Sequence, residues 1–324
     1  MTAQTGPAHT IGVDVGGTKV AAGLVAPDGT IVAKTRRSTP PGDTGAGTVA
    51  AIVDTIEELR AGAQEVEVRA VGIGAAGFVD VQRTTVVFAP NLAEWPDDPL
   101  ATQVEARVGL RTVVENDANA AAWGEVEHGA GRGEAYVVCI TVGTGIGGGI
   151  VLGGELYRGR WGVAAEIGHL RVVPGGRPCG CGNRGCWEQY ASGRALVREA
   201  RTRAEEDPDL ALDLLALGDG TIEGIEGRHV TAAAQKGDPV ALGAFEACGT
   251  WLGQGMADLA AILDPGCFVI GGGVSEAGDA LLEPARRAFR AALTAGSHRP
   301  NADVRRAVLG NDAGIVGAAA LARR

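Results

Sequence analysis

The chain has 324 residues, with 29 basic and 39 acidic side chains and a net charge of −10. At about 150 residues per domain that length predicts two domains, and 45% hydrophobic with 21% charged residues excludes a disordered chain. The acidic balance argues against a protein built to hold nucleic acid or an anionic membrane.

No run approaches the ~18 consecutive apolar residues of a membrane-spanning helix. Residues 1–10 carry neither the basic nor the apolar region of a secretory leader, so a cytoplasmic protein is expected. Glycine is over-used, at 52 residues, against an ordinary share of about 7%. With no collagen period, these glycines are expected in turns and phosphate-type loops. Six cysteines are too few for a disulfide scaffold.

In chain order, residues 11–15 read as a strand and 16–19 as a glycine turn. Strands over 20–26 and 30–37, joined by Pro27-Asp28-Gly29, complete a meander. Residues 44–62 have helical spacing, 70–74 form a buried strand, 99–108 a helix and 111–115 a strand. A helix over 118–128 starts just after Asp117. Residues 135–142 then read as a strand, 143–147 as a second glycine turn and 148–152 as another strand. Strand–glycine turn–strand therefore occurs twice, which predicts two related halves, each with a phosphate loop. Residues 175–188 are loop-like, 190–205 and 238–264 helical, and 267–270 a strand ending in Gly271-Gly272-Gly273. A helix over 281–293, a strand over 304–309 and a helix over 313–322 close the chain. No low-complexity linker separates the halves, which predicts domains sharing a cleft and a hinge.

The first turn, Asp14-Val15-Gly16-Gly17-Thr18-Lys19, offers backbone N–H groups and a hydroxyl to an anion. It is not a Walker A loop: Gly12 and Gly17 have the spacing, but Thr-Lys follows where Lys-Ser/Thr is required, and no helix follows. An isolated Gly-Gly is an ordinary hairpin. Asp14 argues for more, because a carboxylate ending an apolar strand needs a cation or a donor. Gly-x-Gly-x-x-Gly matches at Gly72 and Gly143 lack the helix that a dinucleotide site requires. Thr144-Gly145 fits better as a second phosphate-contacting hairpin.

The strongest local signal is His169 followed by Cys179, Cys181 and Cys186. One imidazole and three thiolates suit tetrahedral zinc, and four protein ligands leave no open position, so the site reads as structural. Cys139, Cys248 and Cys267 lie in apolar segments and read as core. Asn116-Asp117 sits where a strand gives way to a helix. Asp117 there is either a helix cap or a general base at the mouth of a sheet. Glu166, His169 and Glu188 are candidates to line the same cleft, and Asn91 is a further polar candidate.

Together these motifs resemble the ROK family of repressors, open reading frames and kinases. The order of Asp14-x-Gly-Gly-Thr-Lys19, Gly74-Ala-Ala-Gly77, Pro90-Asn91-Leu92, Glu115-Asn-Asp117, Gly143-Thr-Gly-x-Gly147, Glu166-x-Gly-His169 and Cys179-x-Cys-x-x-x-x-Cys-x-Glu188 carries the resemblance. Gly271-Gly-Gly-Val274 looks like the family's late nucleotide-site turn. Residues 157–169 and 186–191 resemble the actinobacterial glucokinase branch most closely. One departure is Ala165, where many members carry glycine; a small steric change is expected there, without loss of function.

The resemblance implies an actin-like, hexokinase-type (ribonuclease H-like) α/β fold of two domains around a central cleft. Residues 10–117 with 311–324 would form the smaller domain, and 118–310 the larger one, with a zinc loop over 169–188. It implies Mg-ATP as co-substrate, a structural zinc held by His169, Cys179, Cys181 and Cys186, and transfer of phosphate to the 6-hydroxyl of glucose. Asp117 would be the general base. Asn91, Asn116, Glu166, His169 and Glu188 would join it in holding the sugar. Gly16, Gly17, Thr18 and Lys19, with Thr144 and Gly145, would hold the phosphates, Asp14 would lie near Mg²⁺, and Gly272 and Gly273 would line the adenosine pocket.

The alternatives are a kinase for another hexose or an N-acetylhexosamine, a polyphosphate-dependent glucokinase, and a non-catalytic sugar-responsive regulator. The family's repressors carry a DNA-binding module before the first strand; ten residues are too few for one. The family also implies a homo-oligomer, a dimer or tetramer, although no interface signature is visible in the sequence.

Overall fold

Strand β1 (His9–Val15) alternates in the manner of a strand buried on both faces: Ile11, Val13 and Val15 point one way, Gly12 and Asp14 the other. It pairs antiparallel with β2 (Lys19–Val25), and β2 with β3 (Ile31–Ser38). After α1 (Ala46–Gly62), β4 (Val68–Ala75) returns parallel to β1. A small hairpin, β5 (Phe78–Val79) and β6 (Val86–Phe88), and helix α2 (Leu100–Val108) lead to β7 (Arg111–Asn116), parallel to β4. The sheet order is β3-β2-β1-β4-β7. The structure, a computed structural model, describes residues 8–39, 45–89 and 99–324.

One face of this sheet meets α1 and α2 through Val49, Ile52, Ile56, Leu100 and Val104, all fully buried. Each such side chain is worth about 1.5–3 kcal/mol of apolar transfer. Helix α3 (Asp117–His128) follows β7 directly. Its N-cap is Asn116, whose side-chain oxygen accepts the Asn119 N–H.

A second five-stranded sheet contains β8 (Val137–Val142), β9 (Ile146–Leu152), β10 (Glu155–Leu156), β11 (Cys267–Gly271) and β12 (Asp303–Arg306), in the order β10-β9-β8-β11-β12. Strands β8, β11 and β12 are parallel. In both sheets the strands follow one pattern: third, second, first, fourth, fifth. The duplication read from the two glycine turns is therefore present in the topology.

The helices between β10 and β11 are α4 (Glu188–Ala191), α5 (Gly193–Glu206), α6 (Leu212–Leu217), α7 (Gly227–Gln235) and the 25-residue α8 (Pro239–Leu263). The single helix expected over 190–205 is thus two, broken at Ser192, which caps α5. Asp238 caps α8 and Pro239 takes its first turn, the arrangement that starts a helix without wasting a donor. Helix α9 (Asp279–Ala292) lies between β11 and β12, and α10 (Ala313–Ala322) follows β12. Among the described residues no helix is long and apolar enough to cross a membrane.

The chain divides into two compact units. One holds the described residues up to Ala135, with Gly149–Ala165 and Asn311–Arg324; the other holds Tyr136–Gly148 and Glu166–Gly310. The sequence placed the change of domain after residue 117, whereas α3 stays with the first unit. The reason is α10, which packs on α3 with its backbone: a Cβ on Gly317 would lie 1.7 Å from the Ala120 carbonyl oxygen. On the sheet side of α10, Cβ atoms on Gly12 and Gly72 would lie 1.9 and 1.8 Å from the Ile315 and Ala318 oxygens. Among the described residues 17 glycines have the positive φ expected of turns and loops, but these three sit in strands and a helix, a use the sequence reading did not include. They are there so that a helix can approach a sheet and a neighbouring helix at backbone distance.

Candidate active site and metal centre

In the first unit the parallel strands β1, β4 and β7 end on one edge. Register pairs Val15 with Ala75 and Ala75 with Asn116, so the Asp14–Val15 and Asn116–Asp117 steps come to the same edge. Open α/β sheets bind ligands beyond this end. Asp14 projects to the α10 face, where a Cβ on Gly314 would lie 3.2 Å from its carboxylate. Burial and the neighbouring Asp117 carboxylate push the Asp14 carboxyl up to about 6, against the pull of Lys19 and Lys34. Burial also raises Asp117, while the N–H of Ala118, donating to Asp117 Oδ1 at 2.9 Å, acts against that rise. Two half-buried carboxylates in mutual repulsion suit a bound cation, a transferable proton, or both.

The β1–β2 turn is closed by the Gly16 N–H on the Lys19 carbonyl, 2.9 Å away. Gly17, Thr18 and Lys19 are exposed at its tip. Asn116 donates from Nδ2 to the Gly77 carbonyl at 3.0 Å, so its cap and its amide are both engaged. Asn91 lies outside the described residues.

In the second unit the equivalent turn has the Gly143 N–H on the Gly145 carbonyl at 3.0 Å, and the Gly193 N–H on the Gly143 carbonyl at 2.7 Å. This ties the turn to the start of α5. Beside it opens a cavity of about 1260 Å³, which Thr144 and Gly273 border. Gly272 has φ +81°, and a Cβ there would strike the backbone of Val142, so glycine is required to turn the chain after β11. The cavity wall also includes Val274, from the late glycine turn, and Arg194, Val197, Arg198, Ile225 and Arg228, which the sequence motifs do not single out. Those five come from α5 and the start of α7, where ordinary residue types carry no spacing signature.

His169, Cys179, Cys181 and Cys186 come together as read from the sequence: their ligand atoms all lie within 4.8 Å of one another. Cys179 Sγ is 3.6 Å from His169 Nδ1, and the Cys181 and Cys186 sulfurs are 3.6 Å apart. A tetrahedral ion with metal–sulfur bonds of about 2.3 Å has sulfur–sulfur edges of about 3.8 Å, so the cluster fits a metal of that kind. The loop is shaped by the Cys179 N–H on the Asn183 carbonyl and the Gly182 N–H on the Cys179 carbonyl. Burial and the Glu188 carboxylate push the Cys179 thiol up to about 12, so a cation is what would hold it as a thiolate at neutral pH.

Three sugar candidates gather at this cluster. Glu166 Oε2 is 3.9 Å from His169 Nε2, the ring nitrogen turned away from the cysteines. Glu188 Oε1 accepts from Cys179 Sγ at 3.0 Å. Its other oxygen stands over Gly145, where a Cβ would lie 2.5 Å away. The carboxylates on either side of the cluster thus orient its ligands from outside. Just before Glu166, Ala165 has φ +70°. The departure from glycine noted in the sequence is therefore one of backbone torsion, where a small steric change was expected. Trp187 anchors the loop to the second unit's core: its indole N–H donates to the Trp251 carbonyl at 2.8 Å, and its ring lies against Gly255.

Comparison with known proteins places these features together. The ROK family model matches residues 10–324. The chain is 56% identical over 314 residues to a glucokinase of Streptomyces coelicolor, covering 97% of each. It is 34% identical over 323 residues to an N-acetylmannosamine kinase of Escherichia coli, covering 97% of the chain and 98% of that protein. A crystal structure of a ROK family glucokinase from Streptomyces griseus, in complex with glucose and AMPPNP, matches with 56% identity and a TM-score of 0.87, covering 97% of this chain and 99% of that one. A match that runs unbroken from the first glycine hairpin to the last helix leaves one conclusion: the chain belongs to the ROK family.

Proposed function

We propose that the chain is a glucokinase, transferring the terminal phosphoryl group of ATP to the 6-hydroxyl of glucose to give glucose 6-phosphate and ADP. The observation that carries this is the 56% identity over 97% of the chain to the Streptomyces coelicolor glucokinase, with the Streptomyces griseus relative holding glucose and AMPPNP. Asp117 is the general base in this reading. Its carboxylate takes the hydroxyl proton as the sugar oxygen attacks the terminal phosphorus, and the bond to the ADP oxygen breaks. Burial that raises its proton affinity brings it nearer the working pH, which favours such a base.

Asn116, Glu166, His169 and Glu188, with Asn91, hold the remaining hydroxyls. Hydroxyls read by buried polar groups give specificity, because an analogue lacking one leaves its partner unpaired. Gly16, Gly17 and Gly145 offer backbone N–H groups to the phosphates, Thr18 and Thr144 add hydroxyls, and Lys19 adds charge. Gly272 and Gly273 border the adenosine. Val197, Ile225 and Val274 on the cavity wall favour a nucleotide donor over polyphosphate, since they suit a base and have no use against a chain of phosphates.

The repulsion between Asp14 and Asp117 suits a divalent cation, and Asp14 would hold the Mg²⁺ of Mg-ATP. When bound, that ion neutralises charge on the phosphates. His169, Cys179, Cys181 and Cys186 would hold a structural zinc, which ties together the loop that presents Glu166 and Glu188.

The test is ADP release with Mg-ATP, comparing glucose with fructose, mannose, N-acetylglucosamine and N-acetylmannosamine. A large preference for glucose is expected. The 34% identity to an N-acetylmannosamine kinase makes that sugar the specific competitor, and a preference for it would replace the glucose assignment. Folded, metal-loaded protein that turns over no sugar with ATP would point to polyphosphate or to a regulator, and the proposal would fall.

A further inference from the structure

Glu115 is the least exposed acidic side chain near the proposed base, with its side chain only 3% exposed at the end of β7. A carboxylate buried this deeply must be paired. Its Oε1 accepts from the Asn116 N–H at 3.2 Å and from Asn119 Nδ2 at 3.1 Å. Its Oε2 accepts from Arg158 Nε at 2.7 Å, with Arg83 Nε 3.8 Å away. The chain before and after Asp117 is therefore held: Asn119 by its N–H on Asn116 and its amide on Glu115, and Asn116 by its N–H on Glu115.

Arg158 comes from elsewhere in the chain. It opens a loop that closes on itself through the Ala164 N–H on the Arg158 carbonyl at 3.1 Å. Gly162 in that loop lies against the Val79–Asp80 backbone, where a Cβ would be 2.2 Å from the Val79 oxygen. The loop is thus seated on the first unit independently of Arg158, and the guanidinium is delivered to Glu115 by a fixed frame.

We propose that Glu115 and Arg158 are a positioning pair for phosphoryl transfer, a buried ion pair that holds the first turn of α3 so that Asp117 meets the sugar hydroxyl. The proposal rests on Asp117 being the base. Neither residue touches the sugar or the nucleotide in this assignment. Their loss should therefore lower kcat and leave the KM for ATP nearly unchanged.

The experiment measures kcat and both KM values in the metal-loaded full chain for Glu115→Gln, Arg158→Met, Arg158→Lys and the double variant Glu115→Gln/Arg158→Met, with circular dichroism and melting recorded for each. Glu115→Gln and Arg158→Met should each lose about 10- to 100-fold in kcat, the scale of a misplacement near 1 Å, with the KM for ATP within about twofold. Arg158→Lys should recover most of the rate, because its ammonium can donate to the same Oε2, a bond that Arg83 at 3.8 Å does not make. The double variant should lose no more than either single, because both remove the same contact. If a single variant fails to fold, the double variant, which removes both charges of the pair and leaves Arg83 its bond to the Leu321 carbonyl, decides alone. A folded double variant or Arg158→Met with kcat within about twofold of the parent overturns the proposal, as does a loss in Arg158→Lys as large as in Arg158→Met. Asp117→Asn is measured alongside: if it retains turnover, the assignment of the base fails, and that failure is read separately from the pair.

Discussion

Ala165 carries a torsion that side chains avoid. At φ +70° its Cβ crowds the following carbonyl, and the left-handed region costs an alanine roughly 1–2 kcal/mol. Ala165→Gly removes that cost but gives back about 0.4–1 kcal/mol, because glycine has more freedom to lose from the unfolded chain. The balance is a stabilisation of about 0.5–1 kcal/mol, or a rise of roughly 1 °C in Tm for a chain of this size. Ala295, at φ +54° on the exposed surface after α9, is an internal control with the same chemistry and no site beside it. Both substitutions should raise the urea midpoint by similar amounts. Only Ala165→Gly adjoins Glu166, so only it should move the KM for glucose, by less than about threefold. If Ala165→Gly lowers stability by about 1 kcal/mol while Ala295→Gly raises it, the residue is not under torsional strain and the reasoning fails.

Three other outcomes follow from the site. Asp117→Asn should fold normally and lose about 10²–10⁴ in kcat, the usual contribution of a general base, measured by ADP release. Asp14→Asn tests the raised carboxyl: because the folded state holds the Asp14 proton more tightly than the unfolded chain, stability falls as pH rises from about 4 to about 6 and stays low above. Without Mg²⁺ or nucleotide, the asparagine variant should exceed the parent by at most about 3 kcal/mol above pH 6, with the difference vanishing below about pH 4; a constant difference across a denaturation series from pH 3.5 to 8 would exclude the coupling. Metal chelation or Cys179→Ala should raise the KM for glucose and quench or shift Trp187 fluorescence, since His169 and Glu188 lean on the cluster and Trp187 follows Cys186. An unchanged KM in demonstrably metal-free protein would separate the cluster from the sugar.

Those parts of the molecule that rest on short-range chemistry could be read from the sequence. The two glycine turns, Asn116-Asp117 at a strand end and the four metal-binding candidates each declare themselves within about twenty residues, and the structure brings each set together. What stayed hidden depends on partners far along the chain. Gly12 and Gly72 read as strand residues, but nothing near them announces the α10 carbonyls they face. The placement of α3 with the first unit has the same cause. Helices α6 and α7 went unread because α6 spans only six residues, too few for an apolar period to show, and their stretch of chain carries no motif. Arg198 and Ile225 in the cavity wall were likewise invisible, since no motif sets them apart from other arginines and isoleucines.

The seating of α10 has a consequence for how the protein comes into being. On the ribosome, β1 to α3 emerge first, yet the slot that Gly12, Gly72 and Gly124 leave open waits for residues made after the whole of the second unit. Arg323 then clasps Thr10, Ala26 and Pro27 from nearly the opposite end of the chain. The unit synthesised first is therefore the last to close, and its β1 and β4 backbones stay uncovered during translation of almost two hundred residues. A chain stopped short of α10 would present a nascent sheet with a bare glycine-lined face, the kind of surface that chaperones hold and proteases find.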